Sequence, residues 1–257
     1  MKHFLVAALL TLAALPAAAD QVADLISGKI KECRGCDLTG ADFKKADLSG
    51  VDLTGAILTD AVFHRAVLRG VVLDGVTAIG ANFNLADLTQ AHMAKGDFTR
   101  SMFYGAQMSG SDLTGAVLTE ARMQTARLTS AKLPGATLDR TILRDAKANN
   151  CDFTGASFLS TNMDRTVLGR SKFTKATLTA VSFTQADAVA ADFSGTTITQ
   201  TDFYGVDLRR AKFAGATVSA NRFSLAAVDD GTFVGAVMTN NFGPDGRLHA
   251  QGASDGE

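Results

Sequence analysis

Between Ser111 and Gly135 the chain reads SDLTG AVLTE ARMQT ARLTS AKLPG, with an apolar residue third in every block of five (Leu113, Leu118, Met123, Leu128, Leu133) and a small residue two places before it. A period of five is neither the 2 of a strand nor the 3.6 of a helix, so it marks a repeat with its own geometry. The same phase runs from Cys36-Asp37-Leu38 to Met238 without insertion or deletion. Every position in it whose number ends in 3 or 8 is Leu, Phe, Met, Ile, Val or, at Ala78, Ala148 and Ala188, alanine. Two places earlier stands Ala, Val, Thr, Ser, Cys or Gly, with Asn221 as the one asparagine. Both positions are expected to point inward, one large and one small, while the other three face water. Fourteen of the 16 phenylalanines occupy centres, a positional discipline that ordinary domains do not show.

Ahead of the repeat, Asp20 to Glu32 has helical spacing: Val22, Leu25, Ile26 and Ile30 share a face and Asp20 offers an N-cap, with Gly28 in the middle. An amphipathic helix placed there is expected to cover the open first coil, because bare strand edges invite pairing with other chains. After Met238 the pattern stops. Phe242 is expected to plug the last coil, and Gly243 to Glu257 reads as a polar tail.

The blocks Ala41-Asp42-Phe43, Ala46-Asp47-Leu48, Ala86-Asp87-Leu88 and Ala191-Asp192-Phe193 follow A-(D/N)-L-x-x. In them the chain resembles the pentapeptide-repeat family. The resemblance implies an all-β solenoid, a right-handed quadrilateral parallel β-helix of about ten coils, with one pentapeptide per side and a dry interior. The expected division is a signal peptide at 1–19, the capping helix at 20–35, the β-helix at 36–240, and a C-terminal cap with flexible tail at 241–257.

If four blocks make a coil, residues twenty apart stack, and three columns become visible. Gly55, Gly75, Gly115, Gly135, Gly155, Gly195, Gly215 and Gly235 recur at that spacing, interrupted by Lys95 and Lys175, which suggests one corner with a conformation or clearance the others lack. His92, Asp112, Lys132, Asp152, Lys172, Asp192 and Lys212 form an outward column of alternating charge, read as a register device rather than a binding site. On the adjacent side Thr137, Thr177, Thr197 and Thr217 flank the centres together with Thr99, Thr119, Thr179, Thr199, Ser219 and Thr239. Such residues suit an exposed ladder. Regular Thr-x-Thr rows also look like the ice-binding face of some β-helical antifreeze proteins, but Asp97, Asp139, Ser157 and Leu159 break these rows.

Charge and termini narrow the function. Lys2 and His3, an apolar run from Phe4 to Leu15, and Pro16 before Ala17, Ala18 and Ala19 read as a secretory signal too short to span a bilayer, which implies a periplasmic or secreted protein with no membrane span after cleavage. Losing Lys2 takes the 25 Lys and Arg to 24, against 26 Asp and Glu, a net of −2. Nothing in that balance points to nucleic acid. The best-known members of the resembled family inhibit DNA gyrase by mimicking duplex DNA, a role that needs an acidic cytoplasmic rod; both the charge and the signal count against it here. Cys33-x-x-Cys36 reads as a disulfide or as two buried thiols, with a redox role as a further alternative, and Cys151 as an inert core thiol. No catalytic, metal or cofactor constellation is present in the sequence: His64 and His92 fall on different faces. The expectation is a non-enzymatic scaffold or interaction module that binds an unidentified protein along a face or at the rod end, or pairs end to end with a second copy.

Overall fold

A single block accounts for its backbone hydrogen bonds completely, and that accounting defines the architecture. In Ser111-Asp112-Leu113-Thr114-Gly115 the centre N–H of Leu113 donates to Lys132 O at 2.7 Å, and the fifth, Gly115, to Pro134 O at 2.8 Å. Asp112 N–H reaches back one coil to Ala91 O (2.9 Å), and Ala116 N–H closes the corner on Leu113 O (3.0 Å). Only the fourth N–H lacks a backbone acceptor, and the Asp112 carboxylate takes it, with the Thr114 hydroxyl, at 2.9 and 2.5 Å. An Asp or Asn in the second place is therefore the acceptor for the one amide that the coil leaves over.

The computed structural model describes residues 18–251; the expected signal peptide lies outside them apart from Ala18 and Ala19, as does the end of the tail. Parallel pairing joins each block to the one twenty residues on, from Glu32↔Asp52 to Arg222↔Phe242, so the chain forms a parallel β-solenoid with four sides to the coil. On one side the pairing lengthens into strands β1 (Ser157–Leu159), β2 (Thr177–Thr179), β3 (Thr197–Thr199), β4 (Thr217–Ser219) and β5 (Val237–Phe242). With β6 (Leu248–Gln251) these make one six-stranded sheet in sequence order.

The inward expectation holds along the rod: large centres and small neighbours are buried together in one continuous core. Phenylalanines twenty apart stack face to face, as in Phe43, Phe63, Phe83 and Phe103 at 5.0, 4.8 and 5.0 Å between centroids. Such offset stacking adds to area burial.

Four expectations change. First, the helix α1 (Ala18–Ile26) stops well short of Glu32, because Gly28 takes φ +70 and its N–H turns back to Leu25 O. Asp20 sits in its first turn rather than at the cap, Leu25 enters the core, and Ile26 is exposed. Second, the solenoid starts one block early. Cys33 is a buried centre whose N–H bonds Asp52 O at 2.8 Å.

Third, the glycine column marks no special corner. Every fifth residue from Gly35 to Leu225 has φ between +52 and +70, Lys95 and Lys175 included at 58 and 59. Clearance does not explain it either, since a Cβ at Gly55, Gly75, Gly135 or Gly155 would meet nothing within 4 Å. The left-handed conformation is thus general. It costs a non-glycine residue about 1–2 kcal/mol, which the inter-coil hydrogen bonds of the stack offset. Fourth, the C-terminal segment is no bare tail: β6 folds back antiparallel on β5, Phe242 opposite Leu248 and both exposed. The plug is Phe233, half-buried with its ring 5.0 Å from those of both Phe213 and Phe223.

Candidate interaction surfaces

Every inward position along the rod is filled, and each buried side-chain nitrogen or oxygen among the described residues has a hydrogen-bond partner. Chemistry that needs converging titratable groups has no interior to occupy. Among the described residues a small cavity of about 80 Å³ opens at the C-terminal end, lined by Phe223, Phe233, Met238, Asn241, Pro244 and His249 among others, apolar except for the amide and the imidazole. Shallower clefts lie on the surface, such as that between Arg100, Glu120, Arg122 and Arg140. His64 and His92 lie on different sides, His92 stacked between Val72 and Asp112.

The charged column is assembled as the spacing predicts, His92↔Asp112↔Lys132↔Asp152↔Lys172↔Asp192↔Lys212 being successive parallel partners. Direct ion pairs do not hold it. Among the described residues none of the seven forms a salt bridge, and the aspartates turn to their own corners: Asp112 to Thr114, Asp152 to Thr154, Asp192 to the Ser194 amide. A hydroxyl and an amide two residues away are nearer and less mobile than a lysine on the next coil. The neighbouring charges still act on Asp112. Partial burial raises the Asp112 pKa, but the Thr114 hydroxyl and amide, with the charges of Lys132 and His92, outweigh it and leave the group below the ordinary carboxylate value.

The same device recurs along the rod. Asp37, Asp47 and Asp52 are all held below the ordinary value of 3.8, first by the hydroxyls of Thr39, Ser49 and Thr54 and then by their amides. A depressed folded pKa contributes stability above the unfolded value and loses it as pH falls through the folded one. The thermal midpoint should therefore be level from neutrality to about pH 5 and fall steeply below about pH 4. A midpoint unchanged to about pH 2.5 would contradict the role assigned to these carboxylates.

The threonine side is a flat sheet only in its C-terminal half, where Thr177, Thr197, Thr217 and Val237 pair in register beside Thr179, Thr199, Ser219 and Thr239. Thr137 precedes it in the column, but Asp97, Asp139 and Leu159 interrupt the rows, and the Asp139 carboxylate accepts the Leu159 amide at 3.2 Å.

Cys33 and Cys36 form a disulfide with Cα atoms 5.5 Å apart, which joins the core position of the first block to the small position of the next. Cys151 is the free thiol among the described residues; burial pushes its pKa up to about 12, so it is inert. Titration of the folded protein with a thiol reagent should find no reactive group, unfolding should release one, and unfolding with reduction all three. Because the bridge closes so short a loop, reduction should cost only about 2 kcal/mol. Three thiols in the unfolded but unreduced protein would show that the bridge is absent.

No periodicity marks the C-terminal surface. Leu225, Val234, Val237, Phe242 and Leu248 are all exposed there, at 67, 62, 61, 45 and 57%. Phe242 and Leu248 are cross-strand partners, and the Leu225 amide bonds Pro244 O. The apolar density became visible only when the hairpin brought it to one end.

Comparison with known proteins yields matches to repeats of this type throughout the rod. Residues 36–75, 46–84, 81–119 and 121–158 match the family model described as Pentapeptide repeats, and residues 146–223 that described as Pentapeptide repeat region. Among solved structures the chain is similar to HetL, a pentapeptide repeat protein involved in heterocyst differentiation regulation from the cyanobacterium Nostoc sp.. The two are 23% identical over 85% of this chain and 91% of HetL, with a TM-score of 0.51, a likeness of fold. Full-length QnrB1, a plasmid-mediated fluoroquinolone resistance protein, is 16% identical over 81% of this chain and 94% of its own, with a TM-score of 0.33. No curated protein matches.

Proposed function

The chain belongs to the pentapeptide-repeat family, and from that premise we propose that it is a non-enzymatic scaffold or interaction module of the bacterial envelope, engaging a protein partner along a face or at the rod end. The observation that carries this reading is the filled interior. With every centre packed against its neighbours, what the molecule offers is surface: flat sides and an apolar C-terminal end. The Cys33–Cys36 bridge supports an oxidising compartment, where such bonds persist. The exposed Phe242 and Leu248 favour the rod end as the contact, including end-to-end pairing with a second copy.

Two measurements test it. N-terminal sequencing of the chain from fractionated cells should give a periplasmic or secreted species beginning at Asp20; an intact chain in the cytoplasm overturns the envelope assignment. Photo-crosslinkers placed at Thr197 and at Leu248 should capture a defined protein from one place and not the other. Charging the productive surface, by Leu248→Glu at the end or Thr197→Lys on the side, should then abolish capture. Capture that survives such a substitution argues against a specific partner site.

A further inference from the structure

One side of the rod carries a column whose charges are blocked rather than alternating. Gln107, Arg127, Lys147, Val167, Asp187, Asp207 and Ala227 are successive parallel partners, so Arg127 lies directly on Lys147 and Asp187 directly on Asp207. Like charges on adjacent strands about 4.8 Å apart oppose the stack. The alternating column from His92 to Lys212 shows that this chain builds the favourable order elsewhere. Val167 stands at the middle of this stretch, with two basic residues before it and two acidic residues after it at identical spacing; beyond Gln107 the column continues through Asp87, Val67 and Asp47, outside the seven coils that would face each other.

We propose that this side is the surface on which a second copy of the chain docks antiparallel, about a twofold axis passing over Val167. Under that axis each coil faces the coil equally far on the other side of Val167. Lys147 then meets Asp187 of the second copy, and Arg127 meets Asp207, each contact occurring twice. Parallel docking would set the two basic ends side by side. The occupant is a second copy because the pattern is complementary to its own reverse, the requirement for an isologous interface.

The rest of the side permits the approach. Val167, Gly169, Val189 and Ala190 leave a small, uncharged centre, each half-buried. Lys147 and Asp187 are exposed, and among the described residues neither forms a salt bridge. Asp207 is already paired with Arg209 at 2.5 Å, so the Lys147–Asp187 contact decides the pairing. Arg170 would face its own copy, but at an exposed corner where a single like-charge contact in water costs little. The shared length, six coil steps of about 4.8 Å, is roughly 30 Å, which places the dimer among weak, concentration-dependent ones.

Sedimentation equilibrium of the chain as the cell delivers it, from about 10 μM to about 1 mM at low salt, tests the proposal. Lys147→Glu and Asp187→Lys should each weaken dimerisation about tenfold, since each sets like charges together twice. An equimolar mixture of the two variants should recover the dimer as a heterodimer, which a folding defect in either could not produce. Val167→Cys should crosslink to itself through a short bismaleimide, and Leu248→Cys should not. A chain that stays monomeric throughout the range overturns the proposal. So does a dimer indifferent to both reversals, or one that crosslinks through residue 248 instead; that last result would leave the rod-end reading above intact.

Discussion

Replacement of Asn221 by leucine is expected to lower the unfolding free energy by about 2–6 kcal/mol, although the two side chains share the same number and branching of heavy atoms. On the side that carries β2 to β5 the corners open: neither Thr201 nor Asn221 returns its amide to the preceding centre, as Ala116 does to Leu113. Side chains fill the gap. Asn221 Oδ1 accepts the Thr201 amide at 2.7 Å, and Asn221 Nδ2 donates to Ile198 O at 3.1 Å. One coil on, Asn241 repeats the arrangement, its Oδ1 accepting the Asn221 amide at 2.9 Å and its Nδ2 donating to Val218 O. Asn221 is 1% exposed, so leucine would leave a donor and an acceptor unpaired in the interior at about 1–3 kcal/mol each. Hydrogen exchange should locate the loss: the Thr201 amide and the adjoining coils should lose protection while blocks near Phe63 keep theirs. Uniform or absent loss would show that the asparagines are incidental.

Phe193→Ala is expected to cost about 3–5 kcal/mol, or roughly 2–4 °C of thermal midpoint for each kcal/mol. Its ring lies face to face with Phe173 at 4.8 Å and Phe213 at 4.9 Å, and edge-on to Phe183 and Phe203 at 6.3 and 6.1 Å. Four aromatic neighbours lose contact together, and backbone spacing fixed by inter-coil hydrogen bonds keeps the hole from collapsing. Leucine in its place should recover most of the loss, because Leu133 fills the equivalent place in its own coil. A cost below about 1 kcal/mol for alanine would mean that the column adds nothing beyond ordinary burial.

The inward positions were legible in the sequence because burial follows a single period, and one apolar place in five has no other use. The corner is not legible in the same way. Glycine every twenty residues looked like a local requirement, whereas the hydrogen bonds of the stack hold Lys95 or Thr125 in the same left-handed geometry. The composition of the charged column could be read from the spacing, but its contacts could not, because the nearest donors to Asp112 are two residues away in its own corner. Cys33 was hidden by its place after a helical stretch, and the terminal hairpin by the absence of any period in Leu248 to Gln251. The docking column is visible in the sequence only once twenty is known to be the distance between neighbours.

The complete use of backbone groups within a block has a consequence for how such a chain can change length. A coil consumes its own donors and acceptors in bonds to the coils above and below, so it can be removed or duplicated only whole. Anything other than twenty residues would rotate every later side around the axis and carry the terminators out of place. Those terminators, α1 with its disulfide at one end and antiparallel β6 at the other, decide where growth stops. The rod is in effect a ruler graduated in coils, and its blocked charge column can pair with its own reverse only while Arg127 and Lys147 stand as many coils before Val167 as Asp207 and Asp187 stand after it.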